Sequence, residues 1–243
     1  MWCTGSRKRC AECSTPVCAR HASASNGCCM PCIQKQAAIV STGWHATTPE
    51  EEDEIEAIGG PRASMYGEIT PLGFRTLARR LSLGSGDVFV DLGSGLGRVV
   101  LQAARDWGVE RACGVEYAAS RHDLAVEALE EEPTAVAERV CYIRGDCADP
   151  QVWQESLGDV TVAYVANLLF GAELMERTAR QLEACASLRT VASYRQWPEG
   201  LVGFREDEPE RCDTSWKAPD ELIVVGASKE TGGSLLYIYV RNS

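Results

Sequence analysis

The segment "VFVDLGSGLGRVVLQAA", residues 88–104, joins an apolar strand to a helix through Gly93, Gly95 and Gly97. Glycines at the mouth of a buried strand let a ligand approach the backbone just where a helix amino terminus begins, so the segment commits the chain to a strand–turn–helix unit that cradles a small molecule. The spacing is G-x-G-x-G, with Arg98 where the dinucleotide fingerprint G-x-G-x-x-G has its third glycine, and the G-K-[ST] of a P-loop is missing. Asp91 stands two residues before Gly93. A carboxylate there repels a pyrophosphate but accepts a hydrogen bond from an ammonium group. S-adenosylmethionine offers that group and a nicotinamide dinucleotide does not.

Glu116 closes the next apolar run, "RACGVEY", 21 residues past Gly95, where a doubly wound nucleotide site meets ribose hydroxyls. Asp146, in "RGDCAD", follows a third run and is expected to receive an adenine amino group, with Cys147 beside the ring. Acidic residues at three successive strand ends, with Gly93, Ser94, Gly95 and Gly97 between, favour S-adenosylmethionine. The fourth run reads "YVANLLFG". It has Asn167 but lacks the [ND]-P-P-[YF] pattern of enzymes that methylate base amines or glutamine amides.

Periodicity extends the unit. Apolar spacing of three and four predicts helices over 71–81, 98–107, 121–131 and 173–184. Strands are expected at "VFVDL", "RACGVEY", "RVCYIRGD", "VTVAYVAN" and "RTVASYR", with "ELIVVG" and "LLYIYV" as a closing antiparallel pair. Alternation of strands with helices predicts an α/β fold, a doubly wound, mainly parallel, seven-stranded Rossmann-like sheet; with S-adenosylmethionine as the expected ligand, it is read as a methyltransferase sheet. Before it, Thr48-Pro49 and the acidic run 50–54 can start a short helix within a linker.

The amino terminus differs in kind. Seven of the twelve cysteines fall in the first 32 residues, and Cys10, Cys13, Cys18, His21, Cys29 and Cys32, with Cys3 and Cys28 nearby, carry the two-residue spacings of tetrahedral zinc sites. A disulfide cluster is the alternative. The segment also holds Arg7, Lys8, Arg9, Arg20 and Lys35 against Glu12, in a chain of net charge −11. Any nucleic-acid contact is therefore expected from this basic end, while the acidic remainder suits a basic protein substrate. The uncharged run 160–172 is too short to cross a bilayer, and no apolar block of a signal peptide opens the chain, so an intracellular protein without membrane contact is expected. The expected organisation is 1–35 as the Cys/His-rich zinc module, 36–63 as linker and 64–243 as the methyltransferase domain.

"YGE" at Tyr66 to Glu68, the glycine segment, "GVEYA", "RGD", "VANLLFG" and "TSW" at Thr214 to Trp216 occur in an order and spacing that resemble the disruptor-of-telomeric-silencing family. These are histone H3 lysine methyltransferases without a SET domain. The resemblance implies a nuclear enzyme that uses S-adenosylmethionine on nucleosomal histone. It implies Tyr66 and Glu68 over the methionine part of the cofactor, with Asp91, Gly93 and Gly95 beneath. Asn167 is then expected at the methyl donor's mouth with Phe170 and Gly171 behind it, and Leu168, Leu169, Phe170, Trp216 and Tyr237 are expected along the acceptor channel. The chain departs from the family at Ala166, where the family has a second asparagine. A methyltransferase for another lysine or a small amine, and a non-catalytic binding protein, are the other readings.

Overall fold

The structure, a computed structural model, describes residues 7–9, 16–18, 46–216 and 233–242. Strands β1 (Arg7–Arg9) and β2 (Pro16–Cys18) pair antiparallel. Of the expected metal ligands, Cys18 falls in β2, whereas Cys10, Cys13, His21, Cys29 and Cys32 lie outside the described residues, as does "ELIVVG".

The main sheet has seven strands: β3 (Val88–Leu92), β4 (Arg111–Glu116), β5 (Val140–Arg144), β6 (Val162–Val165), β7 (Thr190–Ser193), β8 (Phe204–Cys212) and β9 (Ser234–Arg241). They lie in the order β5-β4-β3-β6-β7-β9-β8. The first five in that order are parallel, and β9 runs antiparallel to both β7 and β8. The partner of the last strand is therefore "FREDEPERC", which periodicity did not mark. It is an edge strand, acidic and exposed along most of its length, with Pro209 at a register shift between Asp207 and Glu210. Proline has no amide to donate and is confined to such places.

Two apolar layers cover the sheet. Val88, Val90 and Leu92 face one layer, built with Trp153, Leu157, Leu174, Met175 and Leu182. Phe89 faces the other, with Phe74, Leu77, Val99 and Val100. That alternation is the two-residue period of a strand buried on both sides, and it turns Asp91 to the same side as Phe89. The second layer is carried by α2 (Pro71–Arg80) and α3 (Arg98–Gln102), the latter running on as a wider π turn over Ala103–Trp107. Thr70 caps α2, its hydroxyl accepting from the Gly73 amide at 3.1 Å, and Pro71 supplies a first-turn φ that needs no donor.

The stretch expected to be a linker contributes a docked helix, α1 (Pro49–Gly59), with a capping box in which Thr48 and Glu51 satisfy each other's backbone amides at 3.3 and 3.0 Å. Glu51 then reaches α4 (Ala119–Glu130), accepting from the Ser120 amide at 2.9 Å. At its other end, α1 meets the start of α5 (Ala172–Ala184): the Gly171 amide donates to the Gly59 carbonyl at 2.6 Å. A Cβ on Gly171 would lie 2.9 Å from that carbonyl oxygen and 3.2 Å from the Cα of Gly60. Gly171→Val is expected to cost about 1–3 kcal/mol through overpacking against backbone that cannot rotate away. It should also speed amide exchange across 49–59; exchange there at the wild-type rate would show that the crossing does not hold α1 down.

Candidate active site

The carboxyl ends of β3, β4, β5 and β6 open into a cleft of about 780 Å³, at the point where the order reverses between β3 and β6. Crevices of this kind are where open α/β sheets bind ligands. Its floor is Gly93, Gly95, Glu116, Asp146 and Cys147, its far wall is Ala166, Phe170 and Leu174, and Ile55, Ile58 and Gly59 of α1 form a roof. A narrower recess of about 300 Å³ shares Tyr66, Gly93, Gly95 and Ala166 with the cleft and continues past Glu68, Asp91, Ser94 and Arg98 to Tyr164.

The residues of the recess are held from two directions. The chain from Tyr66 to Thr70 runs against 213–215 after β8: the Ser215 amide donates to the Glu68 carbonyl at 2.8 Å, and Ile69 bridges to Thr214. "YGE" and "TSW" thus meet across the fold, with the Trp216 ring packed on Gly67. Tyr66 is buried, and its hydroxyl donates to Glu68, which also takes Arg98 Nη1 at 3.0 and 3.2 Å. Burial and the negative charge of Glu68 raise the Tyr66 phenol well above its usual range, so it stays a neutral donor. Gly95 has φ +54°, and a Cβ there would come within 2.7 Å of the Tyr66 ring. A glycine is what lets the ring close over the loop.

Asp91 is the unusual group. It is 3% exposed, and its Oδ1 makes no hydrogen bond, nor does the buried Oγ of neighbouring Ser94. Burial, then the charges of Glu116 and Glu68, raise the Asp91 carboxyl well above the usual carboxylate range. A buried acid among acids, with an unsatisfied oxygen beside a cavity, is arranged for a cationic donor.

Glu116 and Asp146 are fixed by the backbone. Glu116 accepts from the Gly95 amide at 2.8 Å and from the Ala118 amide at 2.9 Å, tying the glycine loop to the end of β4. Asp146 accepts from the Ala148 amide at 2.8 Å and from Arg177 at 2.6 Å. Burial, then Asp146, push the Cys147 thiol up to about 12, so it is an uncharged wall and not a nucleophile.

The structure separates other expected site residues from the cavities. Gly97 does not line them; it is the left-handed residue ahead of α3, and its carbonyl accepts from Tyr142 at 2.8 Å. Asn167, expected at the mouth, is 0% exposed and faces inward. It accepts from the Arg195 amide at 2.8 Å and donates to the Arg195 carbonyl at 3.1 Å, while Arg195 Nη1 donates to the Phe170 carbonyl at 2.6 Å. Ala166 takes the place at the cleft, because the chain leaves β6 through a 3-10 turn, Asn167–Leu169, and strand alternation ends there. Leu168 and Trp216 are partly exposed, and Tyr237 packs into the core from β9. Sequence reading missed Arg121, which lines the cleft, lies 5.0 Å over the Tyr66 ring and donates to the Ser64 carbonyl at 2.6 Å. No motif marks it.

Asn167→Ala would take from the Arg195 amide the acceptor that Asn167 supplies and leave its carbonyl with the Ser193 hydroxyl alone, at 3.0 Å. The expected loss of stability is about 1–3 kcal/mol, read as a lower urea midpoint. An unchanged midpoint would show that the Arg195 amide finds another acceptor.

Comparison with known proteins agrees with this geometry. Solved structures with the same fold include TrmN from Thermus thermophilus, at a TM-score of 0.52 and 15% identity over 72% of this chain and 49% of that one. The methyltransferase domain of bacterial CtHen1-C has a TM-score of 0.52 and 12% identity over 71% of this chain and 98% of that one. Among relatives by sequence, "Histone-lysine N-methyltransferase, H3 lysine-79 specific" of Aspergillus fumigatus is 35% identical over 107 residues, 44% of this chain and 20% of its own length. The protein of that name from Caenorhabditis elegans is 26% identical over 151 residues, 60% of this chain and 16% of its own. The chain thus spans about a fifth or less of the length of these two curated relatives. A family model described as "Histone methylation protein DOT1" matches residues 60–197, more than half of the chain and every strand end that lines the cleft. By that match the chain belongs to the DOT1 family of histone methylation proteins.

Proposed function

We propose that the chain is an S-adenosylmethionine-dependent protein-lysine N-methyltransferase acting on nucleosomal histone H3. The observation that carries the cofactor is the unsatisfied oxygen of buried Asp91 among Glu68 and Glu116, a site short of one cation. An amino-acid ammonium would supply the missing donor; Arg98, paired with Glu68, is a cation beside the recess that its carboxylate would approach; Glu116 suits the ribose hydroxyls, and Asp146 with Cys147 suits the adenine. The histone substrate rests on family membership and on the names of the relatives.

When bound, the cofactor supplies a methyl group on a positively charged sulfur. The protein's own task is then alignment and exclusion of water. Tyr66, shared by cleft and recess, and Phe170, on the far wall of the cleft, would present their rings to the bound cofactor and exclude water from the reacting carbon. Apolar walls would also favour the neutral amine of lysine over its ammonium form, so its proton passes to solvent before transfer and no dedicated base is needed. The acidic character of the chain, −11 overall, suits a basic histone surface. The basic segment 1–35 is assigned the contact with nucleosomal DNA, and zinc there rests on cysteine spacing alone. Activity on histone would place the protein in the nucleus.

The raised Asp91 carboxyl gives a test that needs no acceptor. Its folded-state affinity for a proton exceeds the ordinary carboxylate value, so at pH below that raised value the free protein holds a proton that a cationic ligand must expel. Affinity for S-adenosylmethionine should therefore rise with pH, by up to about tenfold per unit, until Asp91 is ionised in the free protein. Calorimetric titrations in two buffers of different ionisation enthalpy should show proton release on binding. Binding without proton release, at an affinity flat from acid to neutral pH, would contradict this use of Asp91.

A further inference from the structure

Two thiols that the methyl-transfer scheme does not use lie side by side on adjacent strands. Cys113 of β4 and Cys141 of β5 are direct partners in the parallel register, so their side chains share one face, and both are free cysteines. Adjacent strands lie about 4.7–4.9 Å apart, inside the range of about 4.4–6.8 Å that a disulfide spans between Cα atoms. Cys113 is 1% exposed, whereas Cys141, on the edge strand, is only partly buried. Arg111 is two residues before Cys113 on the same face of β4. Its guanidinium is held by Asp159 and by the Ser156 carbonyl at 3.2 Å, while its Nε is buried without a hydrogen-bond partner.

A cation beside two opposed thiols, one of them reachable from solvent, is the setting in which a thiolate forms and reacts. The neighbouring Cys113 thiol, and after it the Arg111 charge, lower the Cys141 thiol below its usual range against the opposing effect of burial. We propose that Cys113 and Cys141 are a peroxide-oxidised dithiol that closes to a reversible disulfide across β4 and β5.

The Cys141 thiolate attacks hydrogen peroxide; the O–O bond breaks, hydroxide leaves and takes a proton to become water, and Cys141 becomes a sulfenic acid. The Cys113 sulfur, losing its proton, then attacks the Cys141 sulfur; the S–O bond breaks, a second water leaves, and the S–S bond forms. Two thiols lose two electrons and one peroxide is reduced to two waters. The chemistry does not depend on the identity of the cofactor or of the methyl acceptor.

Trypsin separates the two cysteines cleanly, into "ACGVEYAASR" at 112–121 and "VCYIR" at 140–144. The full chain, reduced and desalted, is treated with limiting hydrogen peroxide, alkylated under denaturing conditions, digested and mapped by mass spectrometry. The expected result is loss of both free-thiol peptides together and appearance of their linked form, short by two hydrogens, which dithiothreitol reverses. In Cys113→Ser, dimedone should trap a sulfenic acid on Cys141; in Cys141→Ser, Cys113 should stay reduced. Recovery of both peptides as free thiols while other cysteines oxidise would overturn the proposal. Linkage of Cys141 to a different cysteine would overturn it equally.

Discussion

Asp91→Asn is expected to abolish useful cofactor binding while leaving the fold intact. The amide keeps the shape of the carboxylate but not its charge, in a position that is 3% exposed and therefore poorly screened by water. Loss of one partner from a buried, hydrogen-bonded charge pair costs about 2–5 kcal/mol, equivalent to a weakening of S-adenosylmethionine by about thirtyfold to several thousandfold. The ligand-free protein should unfold at the same or a higher temperature, because burial and the charges of Glu116 and Glu68 oppose the ionised Asp91 carboxyl, a cost that the amide does not carry. The pH dependence of binding should disappear with it. Calorimetry and thermal denaturation of the same preparation separate the two effects. Wild-type affinity in Asp91→Asn would show that the ammonium is held elsewhere; a protein that fails to fold would show that the carboxylate is structural.

Phe74→Ala carries the largest expected effect on stability, about 3–5 kcal/mol, a sizeable part of the roughly 5–15 kcal/mol that holds an ordinary domain together. Phe74 is 0% exposed and meets Phe89 and Trp107 edge-on, with ring centroids at 5.5 and 5.7 Å. The void would open where α2 packs on β3, and α2 is continuous with the Tyr66 to Thr70 chain that closes the recess. Stability and cofactor affinity should therefore fall together, the first read as the urea midpoint and the second by titration at a temperature where the variant is still folded. A loss below about 1 kcal/mol would mean that neighbouring side chains refill the space, and affinity should then survive as well.

What the sequence made legible follows the reach of local forces. The β3 to α3 segment was readable because strand burial, loop glycines and helix start are all written within residues 88–104. Glu116 and Asp146 were readable for the same reason, each closing an apolar run. Strand β8 was not, because "FREDEPERC" lies at the sheet edge with its acidic side chains in solvent, and an exposed edge leaves no two-residue apolar period to detect. Asn167 was placed at the mouth by likeness to a motif, yet one 3-10 turn after Val165 exchanges its position with that of Ala166. Such a rotation is set by what the turn packs against, here the Arg195 backbone 28 residues later. Arg121 and the α1 roof were hidden likewise: the first acts through Ser64 and Tyr66, the second through Gly59 against Gly171. Contacts between distant segments carry no local signature.

The measurement that bears most directly on the assigned activity is transfer of a radiolabelled methyl group from S-adenosylmethionine by the purified full chain. Reconstituted nucleosomes, free core histones and Asp91→Asn with nucleosomes run in parallel, and the labelled residue is located by mass spectrometry. Label on a lysine of histone H3 in nucleosomes, absent with Asp91→Asn, is the expected result. No label on either histone substrate, from a preparation that binds S-adenosylmethionine in calorimetry, would contradict histone methylation while leaving the cofactor site standing.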